Sequence, residues 1–336
     1  MLISFFKKSF ITQYIALILI NGILWLPAFL SADYFQQSFA NVQAPAYILL
    51  QWLFYGRPLA AIITAFLLVL FSGLILNYAL IQNGLSAKNS LLPALLFYIL
   101  AAHQPWMLQL HPTLIPVFIL TLTLPLLFEL YVEREAYSQV FHTGFLLAIA
   151  TLFYLPMIFF IPMVFFTFMV YRLFKWREWI ILILGFLTVF LFTLMAYFWF
   201  DRLPEFYEWM GSISFRVQWM LAPKLSIGGY IIEGVLLILF IMAFLVLISR
   251  LNEKIISIRK KFWAVIWLLI TASISLLLNG INIESHLLLL LLPISVILSY
   301  YLSEIPKTLW MNIALLILFF LILFNNFYSI VQLKYF

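Results

Sequence analysis

The chain has no cysteine, which removes disulfides, thiolate metal sites and thiol nucleophiles together. Charge is almost as scarce. Asp, Glu, Lys and Arg make up 9% of the 336 residues, against 66% apolar residues. A soluble protein of this length needs a charged surface, and these charges are too few to provide one. The alternation of apolar and polar residues that marks a membrane β-barrel is missing too. Segments such as 62–80 (IITAFLLVLFSGLILNYAL) and 234–249 (GVLLILFIMAFLVLIS) are continuously apolar, and in lipid such segments satisfy their backbones only as helices. Nor is there a phosphate-cradling glycine loop, a His-Glu-x-x-His, a nucleophile elbow or an internal repeat. The lack of inverted symmetry argues against the commonest transporter architectures.

What is present is an all-α pattern of apolar runs separated by short charge clusters. Hydrocarbon about 30 Å thick takes roughly 20 helical residues per crossing. The runs predict a polytopic transmembrane helical bundle of about eleven helices, over 10–30, 58–80, 91–104, 112–131, 143–155, 157–171, 179–200, 228–249, 262–279, 286–303 and 309–325. No stretch reads as a soluble domain, so residues 1–336 are expected to form a single transmembrane domain with longer outer loops at 31–57 and 201–227. The run after Lys7 and Lys8 is too long for the core of a cleaved signal and reads as an uncleaved anchor.

With the N-terminus inside and the C-terminus outside, thirteen basic residues fall on the cytoplasmic side, among them Arg250, Lys254, Arg259, Lys260 and Lys261. Five fall outside: Arg57, Arg202, Arg216, Lys224 and Lys334. That bias fixes the orientation. It also accounts for the net charge of +6 without a nucleic-acid partner. The segment 143–171 is too long for one crossing and is interrupted by Pro156 and Pro162, so it reads as two short helices. Interfacial helices are expected after Pro45 in the first outer loop, and over the acidic and aromatic stretch that begins at Asp201, where Phe206 and Trp209 are interleaved with Glu205 and Glu208. Asn21, Asn77 and Asn279 are expected to pair between helices.

The polar residues of the outer side supply the candidate site. Asp33 follows the first span in an apolar and aromatic setting, where a partly buried carboxylate can act as general base; its plainer role is to mark the membrane edge. His103 and His111, catalytic candidates, flank the second outer loop and can bind a phosphate or, with carboxylates, a metal; capping helix ends is the plainer use. Lacking an i,i+4 histidine pair, the chain is not expected to hold a metal, and no cofactor is called for. Glu284 and His286 can form a proton-transfer pair only in an extended loop, because i,i+2 residues on a helix diverge. Arg57 and Arg202 can grip a lipid phosphate, or snorkel to ordinary headgroups. Glu233, about six residues into a span, is a substrate-binding candidate because an intramembrane carboxylate is costly.

Leu152-Phe153-Tyr154-Leu155-Pro156 and Trp176-Arg177-Glu178-Trp179 resemble an uncharacterised family of Bacteroidota polytopic inner-membrane proteins, over most of the chain. That resemblance implies a multi-pass protein of the bacterial inner (cytoplasmic) membrane and carries no activity. The architecture more distantly resembles membrane glycosyltransferases of the C-type (GT-C) fold. Asp33 matches their acidic residue after the first span, 31–57 their long first outer loop, and 143–171 their short helices. The second outer loop departs from that pattern, with His103 and His111 where the family has a second acidic motif. The resemblance implies transfer of a sugar from a polyprenyl-phosphate carrier at the outer face, with Asp33 as base and Arg57 or Arg202 on the leaving phosphate. Two further readings stay open. One is a non-catalytic subunit or scaffold with envelope protein partners; the other is a transporter or lipid flippase. In each, membrane lipids are the surrounding partners.

Overall fold

The computed structural model describes residues 2–8, 10–32, 44–131, 136–212, 225–278, 283–304 and 309–335. Among them there are helices and turns but no strand. Seven helices are long and apolar enough to cross a membrane: α2 (Ile11–Leu30), α4 (Pro58–Gln82), α9 (Trp176–Trp199), α11 (Ile227–Arg250), α12 (Ile256–Leu278), α13 (Ile283–Glu304) and α14 (Leu309–Tyr335). The other four expected spans coincide with shorter helices: α5 (Leu92–Ala101), α6 (Leu114–Glu129), α7 (Tyr137–Phe153) and α8 (Ile161–Tyr171). The protein is thus a helical membrane bundle in which length and composition alone license seven crossings.

Two interfacial expectations correspond to described helices. α3 (Pro45–Phe54) follows Pro45, and α10 (Leu203–Gly211) begins two residues after Asp201. α10 buries Phe206 and Trp209 against Leu155, Phe190 and Tyr197 while Tyr207 and Glu208 face outward, so its apolar stripe alone makes the docking contact. A short α1 (Leu2–Phe6) precedes the bundle.

Proline sets many of these boundaries. It stands in the first turn of α3, α4, α5, α8 and α10, where its missing N–H has no intrahelical partner to lose. Between α7 and α8 the chain is extended at Tyr154 and then forms a 3-10 segment, Leu155–Phe160, over Pro156. The break expected in 143–171 is therefore present, with the first helix starting earlier than the apolar pattern alone indicates.

Small residues let the helices close on one another, as they must where lipid offers no hydrophobic drive to associate. A side chain at Gly144 of α7 would strike the Leu182 carbonyl of α9, and one at Gly185 of α9 would strike the Phe141 carbonyl of α7. Gly73 of α4 likewise makes room for the Tyr98 ring of α5, whose hydroxyl donates to the Leu70 carbonyl at 2.7 Å. All ten residues of α5 are buried. It lies at the centre of the bundle against α4 and α13.

The two ends of the bundle differ chemically. At one end Glu304 accepts from Arg250 at 2.9 Å and from Lys254 at 2.8 Å. Nearby helix ends carry Lys7, which donates to the Ser303 carbonyl at 3.1 Å, and Lys261, which donates to Asn83 Oδ1 at 2.9 Å. The basic residues grouped by the sequence thus meet at one end, and the histidine-bearing turns lie at the other.

Candidate functional site

Ten residues of helix rise about 15 Å, half of the hydrocarbon thickness, so α5 stops inside the bundle. The chain then runs through residues 102–113 with only a single 3-10 turn at Pro105–Met107. Ala102, His103, Gln104, Met107, Leu108, Gln109, Leu110, His111 and Thr113 are all buried there. Irregular backbone in a membrane bundle survives only where protein or a wet cavity satisfies it. Here α11 and α14 do so.

From α14, Asn326 donates to the Ala102 carbonyl at 2.9 Å. From α11, Glu233 Oε1 accepts from Gln104 Nε2 at 3.2 Å and lies 2.9 Å from His103 Nε2. Gln104 Nε2 also reaches the Gly229 carbonyl at 3.3 Å, and the other His103 nitrogen, Nδ1, sits on the Leu100 carbonyl. Ser226 caps α11 by accepting from the Gly229 N–H at 2.9 Å, and its hydroxyl donates to Asn325 Oδ1. Asn325 and Asn326 are buried in turn, and Asn325 Nδ2 and Asn326 Oδ1 have no described partner. Glycine leaves little spare room at 228 and 229: an added Cβ would come to 3.1 Å from Asn325 Oδ1 and 3.1 Å from Gln104 Oε1 respectively, so either side chain would have to give way.

The expected site residues therefore separate. His103 and Glu233, 130 positions apart, form one pair; His103 is 4% exposed and Glu233 38%. His111 belongs to its own turn. Its Nε2 donates to the Trp106 carbonyl at 2.7 Å, a carbonyl that Gln109 also reaches at 2.7 Å. Burial pushes the His111 imidazole down to about 4, against the opposing effect of the Trp106 carbonyl, so it is neutral near pH 7. His286 is buried near the start of α13, edge-on to Tyr154 with ring centres 5.0 Å apart, and neither ring nitrogen has a described partner. The side chain of Glu284 and the whole of Asp33 lie outside the described residues.

Arg57 and Arg202 are both exposed. Arg57 lines a shallow groove with Trp52 and Tyr55. Arg202 Nε donates to Glu205 at 2.8 Å across one turn of α10. The Arg202–Glu205 pair stands at the rim of an apolar cavity of about 750 Å3 between α3, α7, α9 and α10, with Leu49, Leu152, Phe192 and Ala196 among its walls. No group of three or more metal-ligating side chains occurs among the described residues.

Sequence reading did not foresee Gln104, Ser226, Asn325 and Asn326. The available signal was an Asn-Asn pair inside the apolar run of α14 and a Gly-Gly pair opening α11. The interhelical pairing expected of Asn21 is not found: both its side-chain polar atoms are buried without a described partner. Asn77 Oδ1 is in the same state, and Asn279 lies outside the described residues.

A bundle with seven membrane-length apolar helices, a buried irregular turn and no strand among the described residues is an integral membrane protein of the polytopic helical class. The chain belongs to the family of unknown function DUF6427, whose profile matches residues 42–334. No curated protein and no solved structure matches it.

Proposed function

We propose that the protein works on a membrane-resident polyprenyl-phosphate carrier, as a GT-C-like glycosyltransferase or a fold relative of one. In this reading it sits in the bacterial inner membrane with the Arg250–Glu304–Lys254 end in the cytoplasm, as the positive-inside bias directs. The histidine-bearing end then faces outward, with all eleven apolar helices of the bundle accommodated in the membrane.

One observation carries the proposal. The 750 Å3 cavity is apolar along α7 and α9, is bounded by the interfacial helices α3 and α10, and has a guanidinium at its rim. An isoprenoid chain fits the walls. Arg202 spends Nε on Glu205, which leaves its Nη donors for a phosphate at headgroup level. In this reading an acceptor hydroxyl would lose its proton to one of the carboxylates or imidazoles of the same, outer end of the bundle.

The test is photo-crosslinking of the full chain in lipid nanodiscs with a diazirine-bearing polyprenyl phosphate. Labels should concentrate on residues 189–200 and 45–49. Thr193→Trp, which fills the cavity, should abolish them. Labels spread evenly over the lipid-facing helices would defeat the proposal. A second reading, proton-coupled transport, is favoured by the buried break at residues 102–113 with its His103–Glu233 pair; it requires exposure at that break to change between two states.

A further inference from the structure

The hydrogen-bond chemistry of the His103–Glu233 contact fixes its proton content. The Leu100 carbonyl can only accept, so His103 Nδ1 carries a hydrogen. Across the ring, Nε2 faces Glu233 Oε1 at 2.9 Å. Without a proton between them, a ring lone pair would point at a carboxylate lone pair. One proton must therefore lie in this contact. The Gln104 amide decides which atom holds it. Its nitrogen is identified by contact with the Gly229 carbonyl, and it donates to the same Oε1 at 3.2 Å. An oxygen that accepts from an amide N–H is a much better acceptor as a carboxylate than as an acid hydroxyl, so the geometry favours placing the proton on Nε2.

We propose that His103 and Glu233 form a proton-binding site, occupied as an imidazolium–carboxylate pair, with Glu233 as the member through which the proton is exchanged. The assignment does not depend on the transferase reading. His103 is sealed inside the bundle, whereas Glu233 is more than a third exposed and its Oε2 has no described partner. Glu233 lies six residues into α11, about 9 Å below the start of the helix, near enough to the end of the bundle for water to reach that oxygen. The surroundings are built for the contact: Gly228 and Gly229 admit Asn325 and Gln104, and Asn326 pins the turn through the Ala102 carbonyl. Other titratable groups at this end of the packed elements are Tyr230 on α11, Tyr328 on α14, His286 on α13 and His111 on the same turn. His111 is engaged with the Trp106 carbonyl and His286 with the Tyr154 ring.

Proton loss has a mechanical consequence. The proton leaves Nε2 for Glu233 and then for solvent, and no other bond changes. What remains is a neutral imidazole with its acceptor nitrogen against a carboxylate. These two repel, so deprotonation loosens the hold of the 102–113 turn on α11 and leaves the Gln104 bonds to Gly229 and Glu233 to carry it.

The deciding measurement uses the wild-type chain with 15N-labelled histidine, in lipid bilayers, by solid-state NMR. The chain has four histidines, and the signal lost in His103→Gln assigns the one in question. Both ring nitrogens of His103 should be protonated at pH 7; an unprotonated nitrogen there overturns the proposal. Carbodiimide, which modifies protonated carboxyls in apolar sites, gives a second readout by peptide mass spectrometry, with Glu233→Gln as the blank. Glu233 should react slowly in the wild type and about ten-fold faster or more in His103→Gln, where no cation holds the carboxylate ionised. Equal rates overturn it. If His103→Gln fails to fold, comparison of the wild-type spectrum with Glu233→Gln still decides, because the imidazolium signal should be lost.

Discussion

Single side chains in this bundle are constrained mainly by what their neighbours can donate or accept. His111 shows the cost of burying a titratable ring. Its folded value near 4 lies below the ordinary 6.5, so between those two pH values the unfolded chain binds a proton that the native chain refuses. Stability from this residue is complete above about pH 6.5 and is lost as pH falls toward 4, up to roughly 3 kcal/mol if fully expressed. Thermal unfolding in detergent should therefore shift downward between pH 7 and pH 4.5, and His111→Asn should flatten the slope while lowering the midpoint at pH 7. A slope unchanged in the variant would assign the acid sensitivity elsewhere. Removing the Tyr98 hydroxyl is a milder change. Tyr98→Phe leaves the ring in place against Gly73 and loses one bond to the Leu70 carbonyl, a loss of about 0.6–1 kcal/mol, readable as a small drop in the same midpoint.

At the scale of elements, helix identity was legible and helix partnership was not. Apolar runs and prolines located α2, α4, α9, α11 and α13 to within a few residues, because in lipid a continuous apolar run has no alternative to helix; α12 begins well before its apolar run and α14 continues well past its own, into the polar residues after Phe324. The short helices α3 and α10 were legible from Pro45 and from the aromatic and acidic mixture after Asp201. By contrast, α5 reads in the sequence as part of a span over 91–104, and only packing reveals that it ends at Ala101 with ten of the next twelve residues buried. His103 and Glu233 were each visible as costly polar residues, but nothing local encodes a contact across 130 positions. Asn325 and Asn326 drew no expectation from the sequence, and only the Ala102 carbonyl and Ser226 give them a role. The glycines of the α7–α9 crossing carry the sharpest prediction at this scale. Gly144→Ala or Gly185→Ala drives a methyl into a backbone carbonyl that no rotamer can relieve, and each should cost about 3 kcal/mol or more. Gly211→Ala, where no atom stands within 4 Å of the added methyl, should leave stability unchanged.

For the whole molecule, the separation of a basic end from a histidine-bearing end makes the orientation directly measurable. The absence of cysteine turns the natural chain into a ready background for single-cysteine labelling. Glu208→Cys on α10 should react with a membrane-impermeant maleimide in intact spheroplasts, whereas Asn252→Cys, beside the Arg250–Glu304–Lys254 cluster, should react only after permeabilisation. The reverse pattern would invert the bundle and with it the outward-facing site.

The Gly144–Gly185 crossing also governs the lipid-sized cavity, since α7 and α9 supply its two apolar walls. Helices whose backbones already touch cannot close further on a thinner chain, and spreading them for a thicker one would give up the glycine contact. The narrow limit of the cavity is therefore cast in the bundle like the bore of a die, and α3 and α10 supply the rest of its lining.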